Sequence, residues 1–226
     1  MSDVLNRDAL ERKLARVVSR EHRSQLDQLL ALLGDPPLLE NVPPEFWDNG
    51  GKGLRKVVMP VFLETYLQQA EQLMREVNIG VDWALVNEGA VEWAKNYSYE
   101  LVTGITETTR KGVSKAVSTY FEAGLDLRDL EQSLLQYYGP KRATMIAVTE
   151  TTRATVQGGM SVVNLIELDN PSIRMVPYWI TSRDYSVCPL CEERDGKEIT
   201  DGVYPPLHPN CNCDVRWEMT VDDGTP

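Results

Sequence analysis

Residues 188–213 read CPLCEERDGKEITDGVYPPLHPNCNC, and this stretch decides the fold at the C-terminal end of the chain. It holds all four cysteines of the sequence and one of its two histidines. A Cys-x2-Cys turn sets two thiolates about 3.8 Å apart, which is the edge of a tetrahedral zinc site, and a later turn supplies the remaining ligands. The spacing therefore predicts a bound zinc ion. The candidate ligands are Cys188, Cys191, His208, Cys211 and Cys213.

These five candidates compete for the four positions of a tetrahedral site. Cys211 and Cys213 stand two residues apart, so their side chains leave the same face of an extended backbone, and both could bind only with local strain. The predicted set takes one member of this pair, with a preference for Cys213, and the three other candidates. In the alternative set all four cysteines bind, and His208 contacts a ligand instead of the metal.

The ligand composition indicates a structural zinc site. A catalytic zinc keeps one coordination position open and needs a general base beside it. Here thiolates dominate and at least four protein ligands are available, so a closed site is predicted. In so small a module, zinc binding would supply much of the folding free energy. A pair of disulfides is a poor alternative, because it fits neither the presence of His208 nor the reducing cytoplasm in which we expect the chain to be made.

The overall composition limits the classes of partner. The 226 residues carry a net charge of −11, which disfavours a general nucleic-acid binder or a basic membrane-surface protein, because phosphate contacts need clustered Lys and Arg. No apolar stretch reaches the roughly 18 residues of a membrane span, and the first residues lack the apolar segment of a secretory signal. We therefore expect no membrane partner. The local basic clusters, interpreted as solvated faces, are Lys52/Arg55/Lys56 and Lys141/Arg142.

The sequence before the cysteine cluster has the period of α-helices. Apolar residues at helical spacing predict an amphipathic helix over residues 7–33, which ends at Gly34. Alternation over 172–183 and over 214–219 predicts two short strands on either side of the cluster. The further predicted helices cover 54–77, 82–123, 125–139 and 140–166.

The predicted fold class is mainly α, with an elongated helical body and a small C-terminal β-containing, zinc-stabilised module. Residues 35–52, DPPLLENVPPEFWDNGGK, are rich in proline and glycine and are not expected to form regular structure. The first helix would then pack either on another chain or back on its own domain. The predicted parts are an N-terminal helix (1–34), a Pro-rich linker or arm (35–52), a helical body (53–170) and the zinc module (171–226).

The aromatic pair Phe46 and Trp47 lies inside this Pro-rich arm. Aromatic side chains in an irregular segment often anchor onto another surface, because they bury a large area with few rotatable bonds. The pair is therefore predicted to bind a partner.

The residues of the C-terminal stretch also carry a family resemblance. Residues 178–217 resemble the C-terminal signature of the phage Mu F-like minor head proteins, the head morphogenesis proteins of tailed bacteriophages. The shared pattern is Trp and Thr before an Asp, then Cys-x2-Cys, an Asp-Gly-Lys turn and Pro-Leu-His-Pro-x-Cys-x-Cys. One departure is Asn212, where the family often has Arg. The matching residues are Asp184, Cys188, Cys191, Asp195, Gly196, Pro206, His208, Pro209, Cys211 and Cys213.

A helix upstream extends the resemblance. Residues 146–158, IAVTETTRATVQG, are similar to the family's Thr-Glu helix, with Thr149 and Glu150 at the matching positions. The resemblance covers roughly residues 125–217 and implies a minor head protein that contacts the portal or the major capsid protein. The packaged DNA is a further candidate partner. It also implies a protein made in the host cytoplasm and located in the virion, with no enzymatic activity and no small-molecule substrate.

A zinc-containing, nuclease-like protein that processes nucleic acid is the alternative function, because His208-Pro-Asn resembles histidine-and-metal nucleases. Such an enzyme needs a second catalytic histidine, or a carboxylate cluster for magnesium, beside a basic groove. The predicted zinc module is acidic instead. The other histidine, His22, is predicted to be a solvated helix residue. A non-enzymatic protein is therefore favoured.

Overall fold

The structure, a computed structural model, describes residues 7–182 and 187–221. Within these ranges the chain forms five long helices, then two antiparallel strands with one short helix between them. This confirms the predicted mainly α fold with a small β-containing module at the C-terminal end. The elements are α1 (Arg7–Leu33), α2 (Pro44–Val77), α3 (Trp83–Ala123), α4 (Leu127–Tyr138), α5 (Pro140–Asp169), β1 (Ile173–Ile180), α6 (Pro189–Glu192) and β2 (Asp214–Val221).

Capping residues in the sequence define both ends of α3 and the start of α4. The Asp82 side chain accepts the amide of Ala84 at the start of α3, and α3 ends at Gly124 in the left-handed conformation. At the start of α4, Asp126 and Asp129 form a reciprocal capping box, in which each carboxylate accepts the other residue's amide. These contacts satisfy amide groups that have no partner inside a helix.

The expectation of an irregular segment over residues 35–52 is wrong from Pro44 onward. Pro44 starts α2 because its missing N–H would lack a helical partner at that position anyway. The glycines that follow serve helix packing: a Cβ on Gly53 would lie 2.4 Å from Glu21 Oε1 of α1. The Gly50 carbonyl also accepts a hydrogen bond from Gln25 Nε2 of α1. Close approach to α1 therefore keeps this glycine-rich stretch helical.

The first helix packs on its own chain, which decides between the two alternatives for α1. Leu14 and Val18 are fully buried against Val58 and Phe62 of α2 and Ile146 of α5. Burial of each such side chain contributes about 1.5–3 kcal/mol to folding. The N-terminal helix is thus part of the helical core.

Helices α2 and α5 pack closely at Gly158. Gly158 of α5 lies against the backbone of Tyr66, and a Cβ on Gly158 would lie 2.3 Å from the Tyr66 carbonyl oxygen. That oxygen belongs to a helix and cannot rotate away. Glycine at this position therefore fixes the distance between the two helices.

Replacement of this glycine tests the close approach. Gly158→Ala is expected to lower the free energy of unfolding by about 1–3 kcal/mol, because the added methyl group forces α2 and α5 apart. Gly104→Ala is the matched control in α3, since a Cβ there meets nothing within 4 Å. It is expected to raise stability by about 0.5–1 kcal/mol. Urea unfolding measures both variants, and equal effects would contradict the packing argument.

His22 is buried, so its interpretation as a solvated residue is wrong. Only 2% of the residue is exposed, and its ring meets the edge of Tyr138. Nδ1 has no hydrogen-bond partner among the described residues. Burial, together with the positive charge of Arg142, lowers the pKa of His22 from 6.5 to about 4. The histidine is therefore neutral in the folded protein at neutral pH.

This buried histidine makes stability depend on pH. The unfolded chain takes up a proton on His22 below pH 6.5, whereas the folded chain resists protonation down to about pH 4. The free energy of unfolding is therefore expected to fall by about 3 kcal/mol across this window, at 1.36 kcal/mol per pH unit. His22→Leu removes the contribution. Urea titrations at neutral pH and near pH 4.5 should show a smaller acid loss in this variant, and equal losses would contradict the assignment.

Candidate metal centre

The two strands frame the segment that carries the cysteines. β1 and β2 pair in antiparallel register from Ile173↔Val221 to Ile180↔Asp214. The segment between them returns to the free edge of β1, where the Gly196 amide donates to the Trp179 carbonyl at 2.8 Å and the Trp179 amide donates to Lys197. Gly196 makes this return possible with a φ of +71°. The Cys-x2-Cys turn is thereby brought over the sheet.

The first two candidate ligands share one tight turn. Pro189 starts α6 directly after Cys188, and the Cys191 amide donates both to the Cys188 carbonyl at 3.0 Å and towards Cys188 Sγ at 3.4 Å. The amide that points at this sulfur lowers the pKa of the Cys188 thiol. The turn therefore favours Cys188 as a thiolate, which is the form that binds metals.

His208 is oriented as a metal ligand. Its Nδ1 lies 2.9 Å from the Pro209 carbonyl oxygen, and since a carbonyl only accepts, Nδ1 carries the proton. Nε2 is then left with a free lone pair. It lies 3.1 Å from Cys188 Sγ and 3.4 Å from Cys191 Sγ. A hydrogen bond from one ring nitrogen to a carbonyl while the other faces the site is the usual arrangement of metal-binding histidines.

The five donor atoms form two groups of three that share Cys191, and the donors within each group lie within 4.8 Å of one another. All four cysteines are free thiols. Zn–S bonds of about 2.3 Å and Zn–N bonds of about 2.0–2.1 Å imply separations of roughly 3.8 Å for S···S and 3.6 Å for S···N. The Cys191–Cys211 Sγ separation is 3.8 Å. The cluster could therefore hold a metal ion. Since the structure brings both Cys211 and Cys213 to Cys191, the choice between them stays a prediction.

The cluster lies on an apolar floor. Trp179 is completely buried, and it packs with Val156 of α5 and Val215 of β2 beneath three buried cysteines. Burial raises the pKa of Cys191 to about 12, so this thiol stays protonated in the absence of a cation. Metal binding at this site must therefore release protons.

Helix α5 holds the loop that carries the last two cysteines. The Thr152 hydroxyl donates to the Cys211 carbonyl at 2.8 Å, and the Asn210 amide donates to Thr149 Oγ1 at 2.7 Å. From α1, the Arg7 guanidinium donates to the Cys213 carbonyl at 3.4 Å and also contacts Thr152. Three side chains of the helical core thus position the backbone of this loop.

The sequence interpretation missed Thr152 and Arg7. A signal for Thr152 was present, because residues three apart on a helix share a face and Thr149 already matched the family motif. Arg7 had no such signal, since its contact joins residues at opposite ends of the described chain. Only the packing of α1 on α5 creates it.

Glu150 faces away from the cluster. It is buried, accepts a hydrogen bond from the Tyr97 hydroxyl of α3 at 2.5 Å, and pairs with Arg153 at 3.4 Å. Burial raises the pKa of this carboxyl group. Consecutive helical residues point about 100° apart, so Thr149 contacts the metal loop while Glu150 contacts the helical core.

The C-terminal motif contains two aspartates, Asp184 and Asp195. Asp195 accepts the Thr181 amide at 2.9 Å through Oδ1 and so closes the loop around the Cys-x2-Cys turn. Asp184 lies outside the described residues.

The predicted partner-binding pair does not form an exposed anchor. Phe46 is 8% exposed and packs in a core with Leu29 of α1 and Leu134 of α4, so its own chain already covers most of its ring. Partner binding by the pair stays a prediction. Trp47 is half-buried, with its ring 5.0 Å from that of Phe46. The physical reason is the early start of α2, which turns the pair inward as helical residues.

Comparisons with known proteins found no match among protein-family models, among curated proteins or among solved structures. Of the helices that the structure describes, none is long and apolar enough to cross a membrane.

Proposed function

We propose that the chain is a non-enzymatic minor head protein of a tailed bacteriophage, in which a zinc ion fastens the C-terminal module to the helical core. The phage assignment rests on the motif resemblance of residues 178–217. The structural role rests on one observation: the backbone of the loop that carries Cys211 and Cys213 is hydrogen-bonded to side chains of α5 and α1. A metal bound at the cluster would thereby connect the C-terminal module to α5 and α1.

Zinc is the metal that the donor set supports best. Thiolates with one neutral imidazole suit zinc, whereas magnesium and calcium prefer oxygen ligands. The Cys191–Cys211 separation of 3.8 Å also fits the edge of a zinc tetrahedron. Cys188, Cys191 and His208 would hold the ion together with Cys211 or Cys213.

A closed site supports a structural rather than a catalytic zinc. Five donors are available for four positions, so protein groups can fill every position that a substrate or water would need. Three of the cysteines are buried. Zinc in such a site would supply folding free energy and no open coordination position.

In this function the partners are the portal or the major capsid protein, with the packaged DNA as a further candidate, and the location is the virion. The net charge of −11 supports protein contacts before contacts with DNA, since the DNA backbone repels an acidic surface. The helical core would then present the contact surface, and the zinc module would complete the fold.

The assignment can be tested by co-expressing the chain with the portal and major capsid proteins of its own genome. We expect it to co-purify with one of them and to sediment with assembled heads. Elemental mass spectrometry of the purified chain should find about one zinc per chain, and Cys188→Ser should lose it. Failure to associate with either protein would contradict the head assignment. Cleavage of added DNA by the zinc-loaded chain, lost in Cys188→Ser, would establish the nuclease-like function instead.

A further inference from the structure

A groove runs between α2 and α3. Met59 and Leu63 of α2 and Val91 of α3 supply apolar walls, and the groove encloses about 460 Å³. Met59 is 38% exposed and Val91 is 54% exposed. A single exposed apolar residue is ordinary, but adjoining ones in a concave surface mark a binding site.

Basic side chains surround one part of this groove. Lys52, Lys56 and Lys95 are exposed, and among the described residues none of the three forms an ion pair with a carboxylate. No acidic residue lines the groove. In a chain with a net charge of −11, such a cluster creates a local positive potential.

A fourth basic residue is fixed in place at the same part of the groove. The Arg55 guanidinium donates to the Lys95 carbonyl at 2.9 Å and to Ser98 Oγ at 3.2 Å. It also stacks over the ring of Tyr99. Because Arg55 contacts Lys95 directly, the basic residues of α2 and α3 lie side by side.

The groove is therefore polarised along its length. Lys52 and Lys56 precede Met59 and Leu63 by about one to three turns of α2, so the basic part and the apolar part follow each other along the helix axis. A ligand that fills the groove needs apolar groups at one end and negative charge at the other.

We propose that this groove binds an acidic amphipathic helix of another protein. Its apolar side chains, one turn apart, would pack on Met59, Leu63 and Val91, and its carboxylates would lie beside the lysines. A groove between two helices accepts a third helix by ordinary side-chain interdigitation. Nucleic acid fits less well, because phosphates gain nothing from the apolar walls and the rest of the chain repels them.

A neighbouring cleft extends the surface. It shares Lys52 and Arg55 with the groove and continues past Trp47 and the 63% exposed Tyr99. A bound helix longer than the groove would reach these aromatic rings. In this proposal Trp47 would contact the partner, whereas the buried Phe46 would not.

Fluorescence anisotropy with a designed probe tests the groove. The probe is a fluorescein-labelled helical peptide of about four turns, with leucines one turn apart and a glutamate cluster at one end. We expect saturable binding that weakens about tenfold or more in Val91→Asp and in Lys56→Glu. Both positions are exposed, so the variants are expected to fold. The matched controls, Leu168→Asp in α5 and Lys115→Glu in α3, are exposed residues outside the groove and should bind the probe as the unchanged chain does.

Three outcomes would overturn the proposal. In the first, the probe does not saturate the chain. In the second, it binds Val91→Asp as tightly as the unchanged chain. In the third, a DNA duplex binds instead, and Lys56→Glu weakens this binding whereas Val91→Asp does not. The last result would assign the groove to nucleic acid. The inference does not depend on the metal centre, so Cys188→Ser should still bind the probe. That variant separates a failure of the groove from a failure of the proposed function.

Discussion

If the proposed zinc site is correct, removal of the zinc ion is expected to unfold the C-terminal module while helices α1 to α5 stay folded. The module has a small apolar floor around Trp179, and the Cys and His cluster lies against it. Structural zinc contributes about 10–16 kcal/mol of binding free energy in small zinc domains, more than such a floor supplies. Hydrogen exchange read by mass spectrometry should show fast exchange over residues 187–221 after chelation or in Cys191→Ser, and continued protection in α2 and α5.

Two controls make this prediction specific. Returning zinc to the chelated protein should restore the protection, whereas Cys191→Ser should not respond. Val203→Ser, at an exposed position of the same module, should leave both zinc content and exchange unchanged. Full protection of the module after chelation would contradict the structural role of the metal.

Trp179→Ala is expected to lower the free energy of unfolding by about 3–5 kcal/mol, which is the second largest expected effect. The indole ring is completely buried between the cysteines and Val156 of α5, so its removal leaves a cavity under the metal centre. Arg194 would also lose the ring that it covers. Zinc should dissociate faster from this variant, because the ligands lose the surface that holds them in place.

Trp83→Ala provides the matched comparison, since Trp83 is 37% exposed at the start of α3. Trp83→Ala is expected to lower the free energy of unfolding by less than about 1 kcal/mol, because little packing is lost at an exposed position. Denaturant unfolding measures the stability of both variants, and competition with a metal-sensitive dye measures zinc release. Equal losses of stability in the two variants would show that Trp179 does not support the module.

The sequence predicted those features that short-range signals control. The spacing of apolar residues located α1, α3, α4 and both strands. The ligand candidates could be found because a Cys-x2-Cys turn has a nearly fixed local geometry. Each of these features depends on residues that are neighbours in the chain.

The features that the sequence interpretation missed depend on packing between distant segments. Glycines around residue 50 suggest a loop by their propensity, yet contact with α1 makes them helical. His22 was assigned to a charged, solvated face of α1, although Val18 and Leu26 place it on the buried stripe of the helix at intervals of four. The spacing of His22 from Val18 and Leu26 predicts its burial better than the polarity of its side chain does. Which four of the five candidates would bind a metal depends on loop geometry that spacing does not define.

The packing of α1 against α5 has a consequence for the synthesis of the chain. Leu14 and Val18 are buried partly by Ile146, which the ribosome adds much later. At about 5–20 residues per second, the interval is on the order of ten seconds. During that time the apolar stripe of the first helix is only partly buried. We therefore expect the nascent chain to depend on chaperones that hold exposed helices, so that its yield on expression changes with their supply.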